Sequence, residues 1–117
     1  MPLPIKVIRA VFYQAKSGRE PVRDWLLSEL SLDDRKTIGA DIATVEYGWP
    51  IGMPVSRSLG QGLREVRSQL SGNRISRVIF FIAGSRMILL HGFIKKSQRT
   101  PKPDMDLALK RRKEIEV

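Results

Sequence analysis

Arg67, Arg77, His91 and Lys95 are the residues of this chain whose types and spacing could do chemistry. Strand alternation places Leu63, Glu65 and Arg67 on one face of a strand, Ile75, Arg77, Ile79 and Phe81 on one face of the next, and Leu89, His91, Phe93 and Lys95 on one face of a third. If those faces coincide, two guanidiniums, an imidazole and an ammonium share a surface. Such a cluster suits a phosphodiester changing geometry at phosphorus, because fixed guanidiniums stabilise the negative charge that spreads over its oxygens. Arg stays protonated, so proton removal would fall to His91, to a Lys with a depressed pKa, or to Glu65.

Each of these residues also has a plainer reading. A lone His in the apolar run LLHGF is more often a satisfied core or edge residue, and Glu65 could simply neutralise Arg67 or Arg77. Arg77 is harder to explain away. Inside ISRVIFFI it lies on a largely buried strand, where an unpaired charge costs several kcal/mol, so it must face a partner or an anion.

The charge distribution points the same way. Residues 63–102 hold Arg64, Arg67, Arg74, Arg77, Arg86, Lys95, Lys96, Arg99 and Lys102 against the single acid Glu65, whereas the flanking segments are nearly balanced. Almost all of the net charge of +9 therefore sits in one segment. An excess so confined reads as a surface for a polyanion. Arg64, Arg74, Phe93, Lys96, Arg99 and Lys102 are the candidates for contacting nucleic acid around the chemical residues. Solvated strand-end or loop positions are the bland reading for Arg64, Arg74, Arg86 and Arg99.

The elements that must position these residues are legible from pattern. Ile5 to Tyr13 favours a first strand. Pro21 suits the first position of a helix whose stripe is Val22, Trp25, Leu26 and Leu30. Ser31, followed by Asp33 and Asp34, is an N-cap for a second helix that buries Ile38, Ile42 and Val45 and stops near Gly48. The Pro- and Gly-rich stretch Trp49–Gly62 reads as a loop. Breaks at Ser71-Gly72-Asn73 and Ala83-Gly84-Ser85 separate three strands of an antiparallel meander. Pro101 and Pro103 end a basic loop before a last helix, Asp104 to Glu116.

At 117 residues with 42% hydrophobic and 28% charged residues, the chain reads as one globular domain, residues 1–117. With no Cys and one His, neither a disulfide nor a structural metal site is expected, and no cofactor is called for. The N-terminus lacks the pattern of a signal peptide, and no run of ~18 apolar residues exists to span a membrane. A soluble cytoplasmic protein with no membrane partner is expected.

The segments LREVR, NRISRVIFF and ILLHGFIKKSQRTP, preceded by a strand and two helices and followed by a basic helix, resemble the HigB-type, phage-derived branch of the RelE toxin superfamily. The resemblance covers nearly the whole chain and is most specific in the LHGFIKK..RTP block. It implies an α+β, RelE-like fold: a small antiparallel sheet with two N-terminal helices packed on one face, a basic concavity on the other, and a C-terminal helix. It further implies the toxin of a toxin–antitoxin pair, a ribosome-dependent mRNA endoribonuclease in which a ribose 2′-OH attacks the adjacent phosphate without a metal. The partners implied are mRNA, the ribosome and a cognate antitoxin with a helix-turn-helix domain, operator DNA being met only through that antitoxin. By position, Arg67 and Arg77 match the phosphate-stabilising arginines. Lys95 and Lys96 match cations that act in proton transfer or hold the backbone, and His91 matches the family pattern. The chain departs from that pattern in having no Tyr or second His near its C-terminus. Two other readings share these residues: a non-catalytic nucleic-acid-binding module, and a corepressor acting with a helix-turn-helix partner.

Overall fold

The computed structural model describes residues 5–95 and 99–115. The elements in order are β1 (Arg9–Phe12), α1 (Pro21–Ser28), α2 (Leu32–Gly48), β2 (Ser56–Gly60), β3 (Leu63–Leu70), β4 (Arg74–Ala83), β5 (Arg86–Lys95) and α3 (Lys102–Ile115). The architecture is mixed α+β: one five-stranded sheet, in the order β1-β5-β4-β3-β2, with three helices.

Two expectations about the sheet need correction. It is not wholly antiparallel, because β1 runs parallel to β5, with Arg9 opposite Arg86 and Phe12 opposite Leu89. β1 reaches the meander through a long helical connection rather than a hairpin, so its direction is not tied to that of its neighbour. The stretch read as a loop also contains β2, which pairs antiparallel with β3 and carries an irregularity between Ser58 and Gly60. SRSLG offers one large apolar side chain and no clean alternation, so its pairing is imposed by β3 rather than signalled locally.

Cross-strand partners share a face, and each face has its own core. On one side Val66, Val78, Phe80, Met87 and Leu89 share a core with Val22 of α1 and Ile38, Ile42 and Val45 of α2. On the other, Leu63, Ile79, Phe81, Ile88 and Leu90 share a core with Tyr13 and Ala108, and Met105 and Leu109 of α3 pack against it. α3 therefore covers part of the face expected to be an open basic concavity. Its seat is polar as well as apolar: the Tyr13 hydroxyl donates to Glu114, and Arg111 Nη1 donates to the Leu90 carbonyl at 2.8 Å.

A register shift in β5 changes which residues face which core. His91 lies opposite Ile79 while Leu89 lies opposite Phe80, leaving Leu90 as the additional residue of a bulge. Leu89 thus joins the core of α1 and α2, and simple alternation, which put it with His91, fails there. Phe93 and Lys95 stay on the His91 face, opposite Arg77 and Ile75.

Local chemistry explains the helix ends and the tight turn. Ser31 caps α2 by accepting from the Asp34 N–H at 3.1 Å, and Pro21 opens α1. Between β3 and β4, Gly72 and Asn73 adopt φ of 71° and 57°, which glycine takes freely and asparagine tolerates. Among the described residues no helix is long and apolar enough to cross a membrane.

Among the described glycines, Gly92 is where a helix packs most tightly on the sheet. A Cβ placed there would lie 2.4 Å from Cζ3 of Trp25, so α1 can lie against β5 only because that position has no side chain. Gly92→Ala is expected to lower stability by about 1–3 kcal/mol through overpacking. Urea unfolding checks this, and the loss should shrink in a Trp25→Ala background, where the ring is gone.

Candidate functional site

Below the part of the sheet that α3 covers, charged side chains from four adjacent strands meet on the same face. Arg67 of β3 lies directly opposite Arg77 of β4, and Glu65 of β3 lies directly opposite Arg57 of β2. Lys95 ends β5 opposite Ile75, on the face shared by Arg77 and Phe93. The period of two along each strand brings them together, and the apolar residues that alternate with them fix which face they take. The structure thus brings together three of the four residues singled out for chemistry, Arg67, Arg77 and Lys95, and adds Arg57 and Glu65.

Glu65 is the centre of the group. It is 0% exposed, accepts from Arg77 Nη1, and lies 2.9 Å from Arg57 Nη2. Arg77 is itself 2% exposed and Lys95 8%. Four cations therefore crowd one carboxylate, Arg77 and Lys95 nearly closed to water and Arg57 and Arg67 partly exposed, and two of them, Arg67 and Arg77, are direct cross-strand partners of like charge. Such a pairing is unfavourable unless an anion is shared between them. Oε2 of Glu65 and Nε of both Arg67 and Arg77 are buried with no hydrogen-bond partner among the described residues. Buried donors of that kind are ready to meet an anion.

The electrostatics mark Lys95 as the group able to move a proton. Burial pushes its ammonium down to about 8, Arg77 adds to the effect, and Glu65 opposes it. Burial likewise draws Arg77 below its ordinary value, with Glu65 opposing, yet a guanidinium in that position stays charged.

His91 lies on the same face, opposite Ile79 and so two residues to one side of the level of Arg77, as Lys95 is two residues to the other. It sits four residues before Lys95 on β5, about 13 Å away at the ~3.3 Å rise of a strand. Its Nε2 is 2.5 Å from Asp104 Oδ1 at the start of α3, and its ring stacks on Phe93 with centroids 5.4 Å apart and planes 21° apart. His91 therefore ties β5 to α3 and backs Phe93, on the face that alternation gave it, with the level of Arg77 between its own and that of Lys95.

The outer candidates divide. Arg64 points to the opposite face: Nε donates to Ser56 Oγ at 3.0 Å and its guanidinium lies 5.2 Å from the Trp49 ring centre. Arg74 is engaged by Asp34 through two 2.9 Å hydrogen bonds, which hold the Asp34 carboxyl below the usual range. Each guanidinium thus has a structural task, and neither joins the cluster. Phe93 lies directly across from Arg77. Arg99 lines a cleft with Arg57. Lys102 opens α3 and pairs with Asp106 at 2.9 Å on an exposed surface. Lys96 lies outside the described residues.

Arg57 was missed because the stretch around it reads as a loop; its only sequence signal is a cation beside Ser and Leu in SRSLG. Glu65 was legible as a partner for an arginine, though not as one shared by two.

Two measurements check this electrostatic picture. Glu65→Ala should cost about 3–5 kcal/mol, because it strands a buried guanidinium, and the double variant Glu65→Ala/Arg77→Met should lose less than the two single variants summed. For Lys95, the unfolded ammonium binds its proton below about 10.5 and the folded one only below about 8. Between those values the unfolded chain holds more protons, so stability should rise with pH from 8 to 10.5. Denaturation of wild type and Lys95→Met at pH 7.5 and 10 should show that rise only in the wild type.

No curated protein matches this chain. The family described as phage derived protein Gp49-like (DUF891) matches residues 24–113, a span that takes in every residue of the cluster. The chain belongs to this Gp49-like phage-derived family, which is associated with toxin–antitoxin systems.

Proposed function

We propose that this protein is the toxin of a type II toxin–antitoxin pair, of HigB type within the RelE superfamily, and that it cleaves mRNA on the ribosome. The observation that carries the reading is the surplus of positive charge around Glu65, two of its members, Arg77 and Lys95, being buried. Arg57, Arg67, Arg77 and Lys95 outnumber the one carboxylate among them, and a phosphodiester entering would offset part of that surplus.

The reaction that fits is internal transesterification. The neutral amine of Lys95, available because its pKa lies near 8, takes the proton from a ribose 2′-OH. The 2′ oxygen bonds to phosphorus, the bond from phosphorus to the 5′ oxygen breaks, and that oxygen is protonated from solvent. The products are a 2′,3′-cyclic phosphate and a free 5′-OH. Arg67 and Arg77 stabilise the charge on the non-bridging oxygens, so the step as written needs no metal. RNA rather than DNA is the substrate because only RNA supplies the nucleophile. Phe93, backed by His91, presents a ring on which a base beside the scissile linkage stacks. A toxin of this kind is held in check by a cognate antitoxin, which carries the helix-turn-helix domain that reaches operator DNA.

Primer extension on translated mRNA tests the reading. Wild type should produce defined cuts, and Arg67→Ala and Arg77→Lys should cut about 100-fold or more slowly, in line with loss of a preorganised donor. Single-turnover cleavage on programmed ribosomes should speed up as pH rises toward 8 and level off above it, and Lys95→Met should abolish that dependence. Intact transcripts with folded wild type would rule out the enzyme.

A further inference from the structure

Beside the cluster lies a second cleft, of about 320 Å³, lined by Arg57, Ser58, Leu59, Arg99, Thr100 and Met105. Its size is that of a site for a small ligand group. We propose that this cleft is a second phosphate subsite, taking the phosphodiester next in line to the one held by Arg67, Arg77 and Lys95 on the same RNA strand. The proposal rests on the RNA reading above.

Three observations carry it. First, Arg57 belongs to both places: its Nη2 lies 2.9 Å from Glu65, while its partly exposed side chain lines the cleft. The two sites are thus one arginine side chain apart. Because Glu65 is shared with Arg77, it offsets the charge of Arg57 only in part. Second, the cleft adds another guanidinium, Arg99, and two hydroxyls, Ser58 and Thr100. The Thr100 Oγ1 is buried with no hydrogen-bond partner among the described residues, an unmet donor at the wall of a basic cleft.

Third, the nearby acids are already engaged. Asp104 is hydrogen-bonded to His91 and Asp106 pairs with Lys102, so both carboxylates at the start of α3 already have partners. Leu59 and Met105 supply the apolar surface that a ribose or base edge would cover. A basic track with apolar contact between phosphate positions is how single strands are held without reading sequence. The occupant is therefore a flanking nucleotide, and the toxin grips two successive phosphates rather than one.

The test uses a four-nucleotide strand, made uncleavable by 2′-O-methyl groups, in which each linkage in turn is a neutral methylphosphonate. Binding to the full-length protein is followed by fluorescence anisotropy. In wild type two adjacent linkages should be sensitive, each neutralisation weakening binding about tenfold, the scale of a lost charge-assisted hydrogen bond. In Arg99→Met and in Thr100→Val only one linkage should remain sensitive. For Arg99→Met the salt slope of log affinity should also fall by about 0.7.

A single sensitive linkage in wild type, or two in the variants, would overturn the subsite. The outcome is separable from the fate of the enzyme reading. Two sensitive linkages without mRNA cleavage would leave the subsite standing on a binding protein, and cleavage with one sensitive linkage would remove the subsite alone. Wild type that binds none of the strands would also overturn the subsite, the enzyme reading being decided by primer extension.

Discussion

One buried carboxylate holds two arginines, and the lower half of the sheet depends on that sharing. Glu65 is fully enclosed, receives Arg77 from β4 and faces Arg57 from β2, so it joins three strands through side chains as well as through the ladder. Without it Arg77 would be buried without its carboxylate, beside the like charge of Arg67. With it Arg57 and Arg77 are held before any ligand arrives, and electrostatic stabilisation is most effective with charge that requires no reorganisation. The same carboxylate tempers the fall in the pKa of Lys95 that burial and Arg77 cause. Structural support and the tuning of a neighbouring ammonium are thus carried by one side chain.

The sheet divides its labour between its two sides. One side is closed by α1 and α2 over an apolar core; the other is closed only in part, where α3 lies on Leu63, Ile79, Phe81 and Leu90. The charged cluster occupies the remainder, at the ends of β3 and β5 and the start of β4. Covering half of a face makes a basic site that is walled yet open, since α3 and the chain leading into it form one rim. That rim contributes Asp104 to His91 and Arg99 to the cleft beside Arg57.

Much of this was legible in the sequence wherever a local rule had no rival. The cap at Ser31, Pro21 at the start of α1, and the turn at Gly72-Asn73 each follow from side-chain chemistry within a few residues. Arg77 could be singled out because a charge inside an apolar strand demands a partner. What escaped was non-local. β2 forms because β3 offers an edge, not because SRSLG prefers a strand, and so Arg57 was hidden with it. Arg64 and Arg74 looked like surface cations because nothing in their neighbours reveals Trp49 or Asp34 folding back to meet them. His91 matched a pattern by position, but the pattern did not encode its bond to Asp104 at the start of α3.

The extra residue in β5 also constrains how such a chain can vary. Residues before Leu90 and residues after it obey opposite parities: Leu89 turns toward α1 and α2, whereas His91, Phe93 and Lys95 turn toward α3 and the charged cluster. Loss of a single residue between Arg86 and Lys95 would straighten the strand and rotate one of these sets through the sheet, exchanging an ammonium for an isoleucine at the end of β5. Point substitution can therefore tune this strand, but its length between the Gly84-Ser85 turn and Lys95 is fixed by the two cores it has to serve at once.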